Sequence, residues 1–138
     1  MGGTKIKGTD VRTTAVTETL IDKIPPQNIE AERAVLGSML LEEEAVADVL
    51  DLINADSFYN ESHRKIFHAV LALYNESKPV DLITLSEELR RRGELETIGG
   101  AGYLTELTNV VPTAANVLHH AKLVKEKSIV RNLITTLN

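Results

Sequence analysis

The sequence predicts an all-α fold, a small bundle of about five to six helices followed by a long projecting C-terminal helix. Apolar residues make up 43% of the 138-residue chain and are mainly Leu, Val, Ile and Ala, whereas aromatic residues reach only 4%. Strand-rich folds depend on aromatic and clustered β-branched side chains, which are scarce here. In addition, apolar residues recur at helical spacing in successive segments bounded by Pro, Gly, Asn or Thr.

The first helix is predicted to follow a disordered arm. Residues 1–23 are rich in Thr, Gly and charge without a sustained period, which is typical of such an arm. In "IPPQNIEAERAVLGSML" the two prolines prevent an earlier helix start, and Asn28 is a suitable N-cap. Gly37 lies inside this helix at a cost of about 1 kcal/mol relative to Ala. We therefore predict that another helix crosses closely at Gly37.

Two further helices are predicted in "EEEAVADVLDLI" and "HRKIFHAVLALYNES". The three glutamates that begin the first of these helices, residues 42–44, are interpreted as a solvated helix start, where carboxylates suit the helix dipole. Ser62 or Asn60 can cap the second helix. Its apolar stripe is the most regular in the chain, so we expect it to be the central core helix.

The segment "VDLITLSEELRRRG" is predicted to form the next helix. Its start is assigned to a capping box between Thr84 and Glu87, and Gly93 is its stop signal. Arg90 to Arg92 are interpreted as exposed charges at the helix C-terminus, with a phosphate-contacting patch as the alternative. The glycines of "IGGAGYLTELTNVV" then form a turn leading into a short helix that buries leucines.

The last predicted helix begins after Pro112, with Thr113 as its N-cap. From Ala114 onward it would be about 36 Å long at 1.5 Å per residue. A body formed by residues 24–112 would be about 25 Å across. The helix is therefore expected to project, and the apolar residues near its end need a partner to cover them.

No catalytic, cofactor-binding or metal site is predicted. The chain has no cysteine, no phosphate-binding G-x-x-x-x-G-K-[ST] motif, and neither H-E-x-x-H nor G-x-S-x-G. The four histidines lack metal-ligand spacing and are interpreted as surface or half-buried residues: His63, His68, His119 and His120. We therefore expect this chain not to be an enzyme and to bind no cofactor.

The net charge of −5 argues against a chain whose main task is to coat nucleic acid, because phosphate binding needs a basic face. No apolar run approaches the length of a membrane span, and the N-terminus lacks the plan of a signal peptide. We therefore expect a cytoplasmic protein with no membrane partner.

Several segments together resemble a known family. "IPPQNIEAERAVLGSML", "SFYNESHRKIFHAV", "PVDLITLSEEL", "IGGAGYLTEL" and "VPTAANVLHHAKLVKEKSIVRNLI" are similar, in order and spacing, to the N-terminal domain of the bacterial DnaB-type replicative DNA helicase. The similarity covers about residues 24–138. The family's N-terminal domain is a helical body followed by a helical hairpin. Residues 113–138 would be the first arm of this hairpin, truncated, and the C-terminal RecA-like ATPase domain would be absent.

The resemblance implies a non-catalytic oligomerisation and partner-docking domain for DNA replication. In the family, two copies pair through their hairpins and three pairs form the collar of the hexamer. The collar binds the DnaG-type primase and, in some systems, a helicase loader. ATP and Mg²⁺ would belong to the parent protein, and DNA would be engaged through the parent hexamer. The alternative function is a stand-alone helical module that binds single-stranded DNA or another protein.

Candidate partner-binding residues follow from the last helix and from the family's collar. The helix alternates apolar residues, which a second arm could cover, with basic residues that keep its outer face hydrated and could meet an acidic partner. An aromatic residue with a polar tip near the hairpin base, Tyr103, and a glutamate of the first helix complete the set, and simple packing against the body is the alternative for Tyr103. The candidates are Glu30, Tyr103, Lys122, Lys125, Ile129, Arg131, Leu133 and Ile134.

Overall fold

The computed structural model describes residues 24–137, so the predicted arm of residues 1–23 lies outside the described residues. No β-strand occurs between residues 24 and 137, and the all-α prediction is confirmed. The elements, in chain order, are α1 (Ile29–Leu41), α2 (Glu43–Leu50), a 3₁₀ helix (Ala55–Ser57), α3 (Glu61–Asn75), α4 (Leu82–Arg91), α5 (Gly100–Thr108) and the long α6 (Val117–Leu137).

Helix α1 lies at the centre of the body, where it packs against α2, α3, α5 and α6. Its small residues, Ala31, Ala34 and Gly37, are buried and let neighbouring helices approach from several sides. The prediction that α3 is the central helix is therefore wrong, because α3 meets chiefly α4, α1 and the 3₁₀ helix. The apolar stripe of α3 is nevertheless core, since Ile66 and Phe67 are almost fully buried.

The close crossing predicted at Gly37 is confirmed. A Cβ atom added to Gly37 would collide with the main-chain oxygen of Leu107, at the C-terminal end of α5. The obstacle is backbone, which cannot rotate away as a flexible side chain can. Glycine at this position therefore allows α1 and α5 to pack closely, and this close packing offsets the low helix propensity of glycine.

Two helix starts differ from the predictions. Helix α4 begins at Leu82, where Asp81 is the N-cap: the Thr84 amide donates to Asp81 Oδ1 at 2.9 Å, and the Asp81 amide donates to Thr84 Oγ1 at 3.0 Å. The capping box predicted at Thr84 is therefore wrong, because Asp81 forms the same motif one turn earlier. The side chain of Thr113 accepts a bond from the Ala115 amide in a turn, and α6 starts only at Val117.

The long C-terminal helix is confirmed. With 21 residues it is about 32 Å long at 1.5 Å per residue. Val117, Ala121 and Val124 are buried in its first half. The helix packs mainly on α1 and also on α2 and the 3₁₀ helix. None of the helices between residues 24 and 137 has the length and apolar composition to cross a membrane.

Candidate partner-binding surface

The second half of α6 exposes a row of large apolar side chains. Ile129 is 49% exposed, Val130 39% and Leu133 59%. Their spacing of three and four residues places Ile129, Val130 and Leu133 next to one another on the helix surface. Ile134 is partly buried, and Lys122 and Lys125 are exposed on earlier turns. We call Ile129, Val130 and Leu133 the α6 apolar row.

Arg131 lies within the same stretch but points into the body. Its guanidinium donates to the carbonyl oxygens of Pro26 and Ser57, at 2.8 Å each, and its Cζ lies 5.6 Å from the centre of the Tyr59 ring. Burial lowers the pKa of Arg131, although an arginine remains protonated. The expectation that Arg131 keeps the outer face hydrated is therefore wrong.

A buried chain of polar groups connects α1, α3 and α5. Glu32 is 1% exposed and His63 is fully buried. Glu32 Oε1 lies 2.8 Å from His63 Nδ1, and His63 Nε2 lies 2.6 Å from the Tyr103 hydroxyl. Because a carboxylate only accepts, Nδ1 of His63 donates to Glu32, and Nε2 is paired with the Tyr103 hydroxyl. We call Glu32, His63 and Tyr103 the buried polar chain.

Glu32 also anchors the loop before α3. Its carboxylate accepts bonds from the amides of Tyr59, at 2.6 Å, and Asn60, at 3.3 Å. Tyr59 in turn stacks with Arg131, so the buried polar chain reaches the distal part of α6 through this loop. These groups hold α1, α3, α5 and α6 in fixed relative positions, since a buried polar group that loses its partner is costly.

The hydrogen bond between Glu32 and His63 was not predicted from the sequence. The prediction that His63 is a surface or half-buried residue is wrong, because the structure buries it fully against Glu32. The partners of His63 are 31 and 40 residues away along the chain. No local pattern indicates such contacts, so only the packing of the helices identifies them.

The hydroxyl of Tyr103 is bonded to His63 within the buried polar chain, whereas part of the Tyr103 ring is exposed at the surface. The Arg33 guanidinium lies 5.8 Å from the ring centre. Burial is the main cause that raises the pKa of Tyr103, with smaller contributions of the same sign from Glu106, Glu32 and Glu30. Gly99 precedes α5 with a φ of +115°, and a Cβ there would meet Tyr103 Cβ at 2.8 Å. The glycine turn therefore packs directly against Tyr103.

Several predicted site residues lie at one end of the body. Arg131 reaches the carbonyl of Pro26, which stands just before α1, so the last turns of α6 lie beside the α1 N-terminus. Glu30 is exposed in the first turn of α1, and its charge acts on Tyr103. Glu30, Tyr103 and the distal α6 residues thus lie on α1 and on two helices that each pack against it, whereas Lys122 lies earlier along α6.

The arginines at the end of α4 are exposed to different degrees and are paired within the chain. Arg90 lies 2.7 Å from Glu87, and Arg91 and Arg92 lie 2.6 and 2.8 Å from the same oxygen of Glu88. Hydrogen bonds from Arg91 and then Arg92 hold the pKa of Glu88 below its usual value. The pairing favours the interpretation as helix-end charges over a phosphate-contacting patch, because Glu87 and Glu88 offset two of the three guanidinium charges.

Metal coordination has no support in the described part of the chain. No group of three or more His, Asp or Glu residues between positions 24 and 137 could hold an ion. The buried carboxylate of Glu32 is already engaged by His63 and by the amides of Tyr59 and Asn60.

Comparison with known proteins decides the family. The protein-family model described as the DnaB-like helicase N terminal domain matches residues 24–126 of this chain. The chain belongs to this family. It is 49% identical over 121 residues to the replicative DNA helicase DnaC of Bacillus subtilis, and 46% identical over 121 residues to DnaB of Geobacillus stearothermophilus. Both alignments cover 88% of this chain but only 27% of the relative.

A solved structure gives the same result. The crystal structure of the N-terminal domain of DnaB helicase from Mycobacterium tuberculosis superposes with a TM-score of 0.79 at 46% identity. The superposition covers 80% of this chain and 77% of that one. The resemblance seen in the sequence is confirmed, and the match is to the N-terminal domain of replicative helicases, which lacks the ATPase domain.

Proposed function

We propose that this DnaB-family domain is the non-catalytic oligomerisation and partner-docking part of a replicative DNA helicase. In this proposal it forms the collar of a hexamer and binds a DnaG-type primase and, in some systems, a helicase loader. ATP and Mg²⁺ would act in the parent protein's ATPase domain, and DNA would pass through the parent hexamer. The observation that carries the proposal is the exposed α6 apolar row.

The α6 apolar row has the properties of a helix surface that another helix covers. Ile129 and Leu133 are separated by one helical turn, and Val130 lies between them. The exposed parts of these side chains do not contribute to the stability of the chain while they face water. A facing helix would bury them, as in helical hairpins and bundles. We assign α6 as the first arm of a hairpin that pairs with a second arm and with another subunit.

We assign primase docking to Glu30, Tyr103 and Ile134, which lie on α1, α5 and α6. Tyr103 presents part of an aromatic ring whose hydroxyl is held by His63, so the ring has a fixed orientation. Rigid aromatic groups with a polar tip are enriched at protein interfaces, because they bury much area at little entropic cost. Glu30 supplies an exposed charge beside this ring, suited to a basic group on the partner.

The test is isothermal titration of the 138-residue chain with the DnaG-type primase of the same organism. We expect Ile134→Asp and Glu30→Lys each to weaken binding about tenfold or more, equivalent to about 1.4 kcal/mol. Leu118→Asp is the matched control, because Leu118 is 47% exposed on the same helix but lies in its first half. Thermal melting of each variant checks the fold. Unchanged affinity in both variants, or an equal loss in the control, would contradict the assignment.

Binding of single-stranded DNA is the competing function, and the ion pairs of Arg90 to Arg92 speak against it. Fluorescence titration of the chain with a labelled oligonucleotide separates the two functions. We expect no micromolar binding at physiological salt. Micromolar binding that falls steeply with added salt would favour the nucleic-acid function instead.

A further inference from the structure

A second apolar surface lies at the opposite end of α1 from the primase-docking surface. A groove of about 470 Å³ runs between the C-terminal end of α1, the first turn of α4 and the end of α5. Ile83 at its edge is 76% exposed, and Leu41 is 40% exposed. Because Leu41 is 11 residues after Glu30 in α1, this groove lies about 16 Å along α1 from Glu30. The lining residues are Leu40, Leu41, Asp81, Leu82, Ile83 and Thr108.

The exposure of Ile83 follows from how α4 is capped. Asp81 starts the helix one turn earlier than the sequence suggested, and this adds Leu82 and Ile83 to its first turn. Leu85 and Leu89 face the core and are fully buried. Ile83 lies on another face, where it packs little within the body. A large aliphatic side chain that is exposed to solvent beside a groove is typical of a binding surface.

Exposed carboxylates lie beside this groove. Glu42, Glu43 and Glu44 follow Leu41 directly and are all exposed, and Asp81 lies on the lining. The ion pairs formed within residues 24–137 involve Glu32, Glu61, Glu76, Glu87, Glu88 and Glu106, and none of the four carboxylates beside the groove. The groove therefore combines an apolar floor with exposed carboxylates at Asp81 and next to Leu41, whereas Lys78, Arg90 and Arg91 lie on the other side of Ile83.

We propose that this groove, which we call the α1–α4 groove, docks an amphipathic helix of a partner protein whose apolar stripe is flanked by Lys or Arg. An apolar face entering a groove between helices is a common mode of peptide recognition, and basic flanks match the carboxylates beside the groove. The proposal goes beyond collar formation and primase docking, since it concerns a different end of the body.

A second copy of this chain fits the α1–α4 groove less well. A two-fold interface places the same patch on both sides, so Glu42 to Glu44 of one copy would face the same residues of the other. Like charges in such positions oppose association.

The test uses a synthetic helical peptide of about 18 residues, or five turns, with leucines on one face and lysines beside them. Its control carries glutamates in place of the lysines. Each is titrated into the ¹⁵N-labelled 138-residue chain and followed by two-dimensional NMR. We expect the lysine peptide to shift the amides of Leu41, Ile83 and Thr108 with micromolar affinity, and the glutamate peptide to leave them unchanged. Equal shifts with both peptides, or shifts confined to other regions, would overturn the proposal.

Two variants sharpen this test. Ile83→Asp should weaken binding about tenfold or more, with Leu118→Asp as the matched control and melting curves as the check on folding. Replacing Glu42, Glu43 and Glu44 by lysine leaves Ile83 in place and should reverse the preference toward the glutamate peptide. Unchanged affinity and preference in these variants would exclude the groove as the site. If Ile83→Asp instead lowers the fraction of multimer that the peptide-free chain forms in sedimentation velocity, the groove binds a second copy.

Discussion

The two halves of α6 have similar apolar content but different environments. In the first half Val117, Ala121 and Val124 are buried, whereas in the second half Ile129 and Leu133 are about half exposed. The first half packs through apolar side chains into the core. The second half is anchored by the hydrogen bonds of Arg131 to main-chain carbonyls.

This difference indicates how one helix can serve two purposes. The side chains of Val117, Ala121 and Val124 are covered by the core and are closed to partners, although Leu118 on another face of this half is exposed. An arginine that reaches past its neighbours can hold a helix in position while the adjacent apolar residues remain outside. The distal half of α6 is thus fixed in place and still exposes apolar surface, which is the combination that a docking helix needs.

The largest expected effect comes from placing a charge in the first half. Val124→Asp should lower the free energy of unfolding by at least about 3 kcal/mol, because the carboxylate would be buried without a partner. Urea unfolding followed by circular dichroism measures this change. Val124→Ala, which only removes volume, should cost less. A loss below about 1 kcal/mol for the aspartate would mean that the first half of α6 is not part of the core.

Removing the anchor of the second half should have an intermediate effect. Arg131→Ala is expected to cost about 2 kcal/mol, because two bonds from a charged donor to carbonyls are lost. Hydrogen exchange should accelerate in the last turns of α6 and stay slow around Val124. Arg131→Lys should restore only part of the protection, since an ammonium cannot reproduce the planar fork of a guanidinium. Equal exchange in all three proteins would show that the arginine does not hold the helix end.

The smallest effect on stability is expected in the α6 apolar row itself. Leu133→Asp should change the free energy of unfolding by no more than about 0.5 kcal/mol, as for other surface substitutions. It should nevertheless reduce self-association in sedimentation velocity across a concentration series. Thr136→Asp adds the same charge at an exposed polar position nearby and should leave association unchanged. A large loss of stability in Leu133→Asp would place this residue in the core and weaken the comparison.

Many element boundaries could be predicted because their signals are local. Asn28 caps α1 by accepting from the Ala31 amide at 2.9 Å, and Asn60, one of the two predicted candidates, caps α3 by accepting from the His63 amide at 3.0 Å. Each bond spans three residues. The error at α4 is of the same kind, since Asp81 and Thr84 both favour a helix start and the sequence alone did not choose between them.

The candidate surface was predictable only in part. The exposed apolar row on α6 followed from an excess of apolar residues near the end of a helix too long for its body. The orientation of Arg131 did not follow, because a basic residue between apolar ones is compatible with either face. Its acceptors are 105 and 74 residues away in the chain, and their positions depend on how the helices pack.

By itself the sequence determined the all-α class and the close crossing at Gly37, because helix periodicity, capping and the absence of a side chain act over a few residues. The family followed from the resemblance of whole segments to known relatives. The tertiary structure alone decided that Glu32, His63 and Tyr103 form one buried polar chain and that α1 is the central helix. It also decided that Ile83 faces solvent beside exposed carboxylates. These features depend on residues brought together from distant parts of the chain, and hydrogen-bond geometry selects such partners only after the helices have packed.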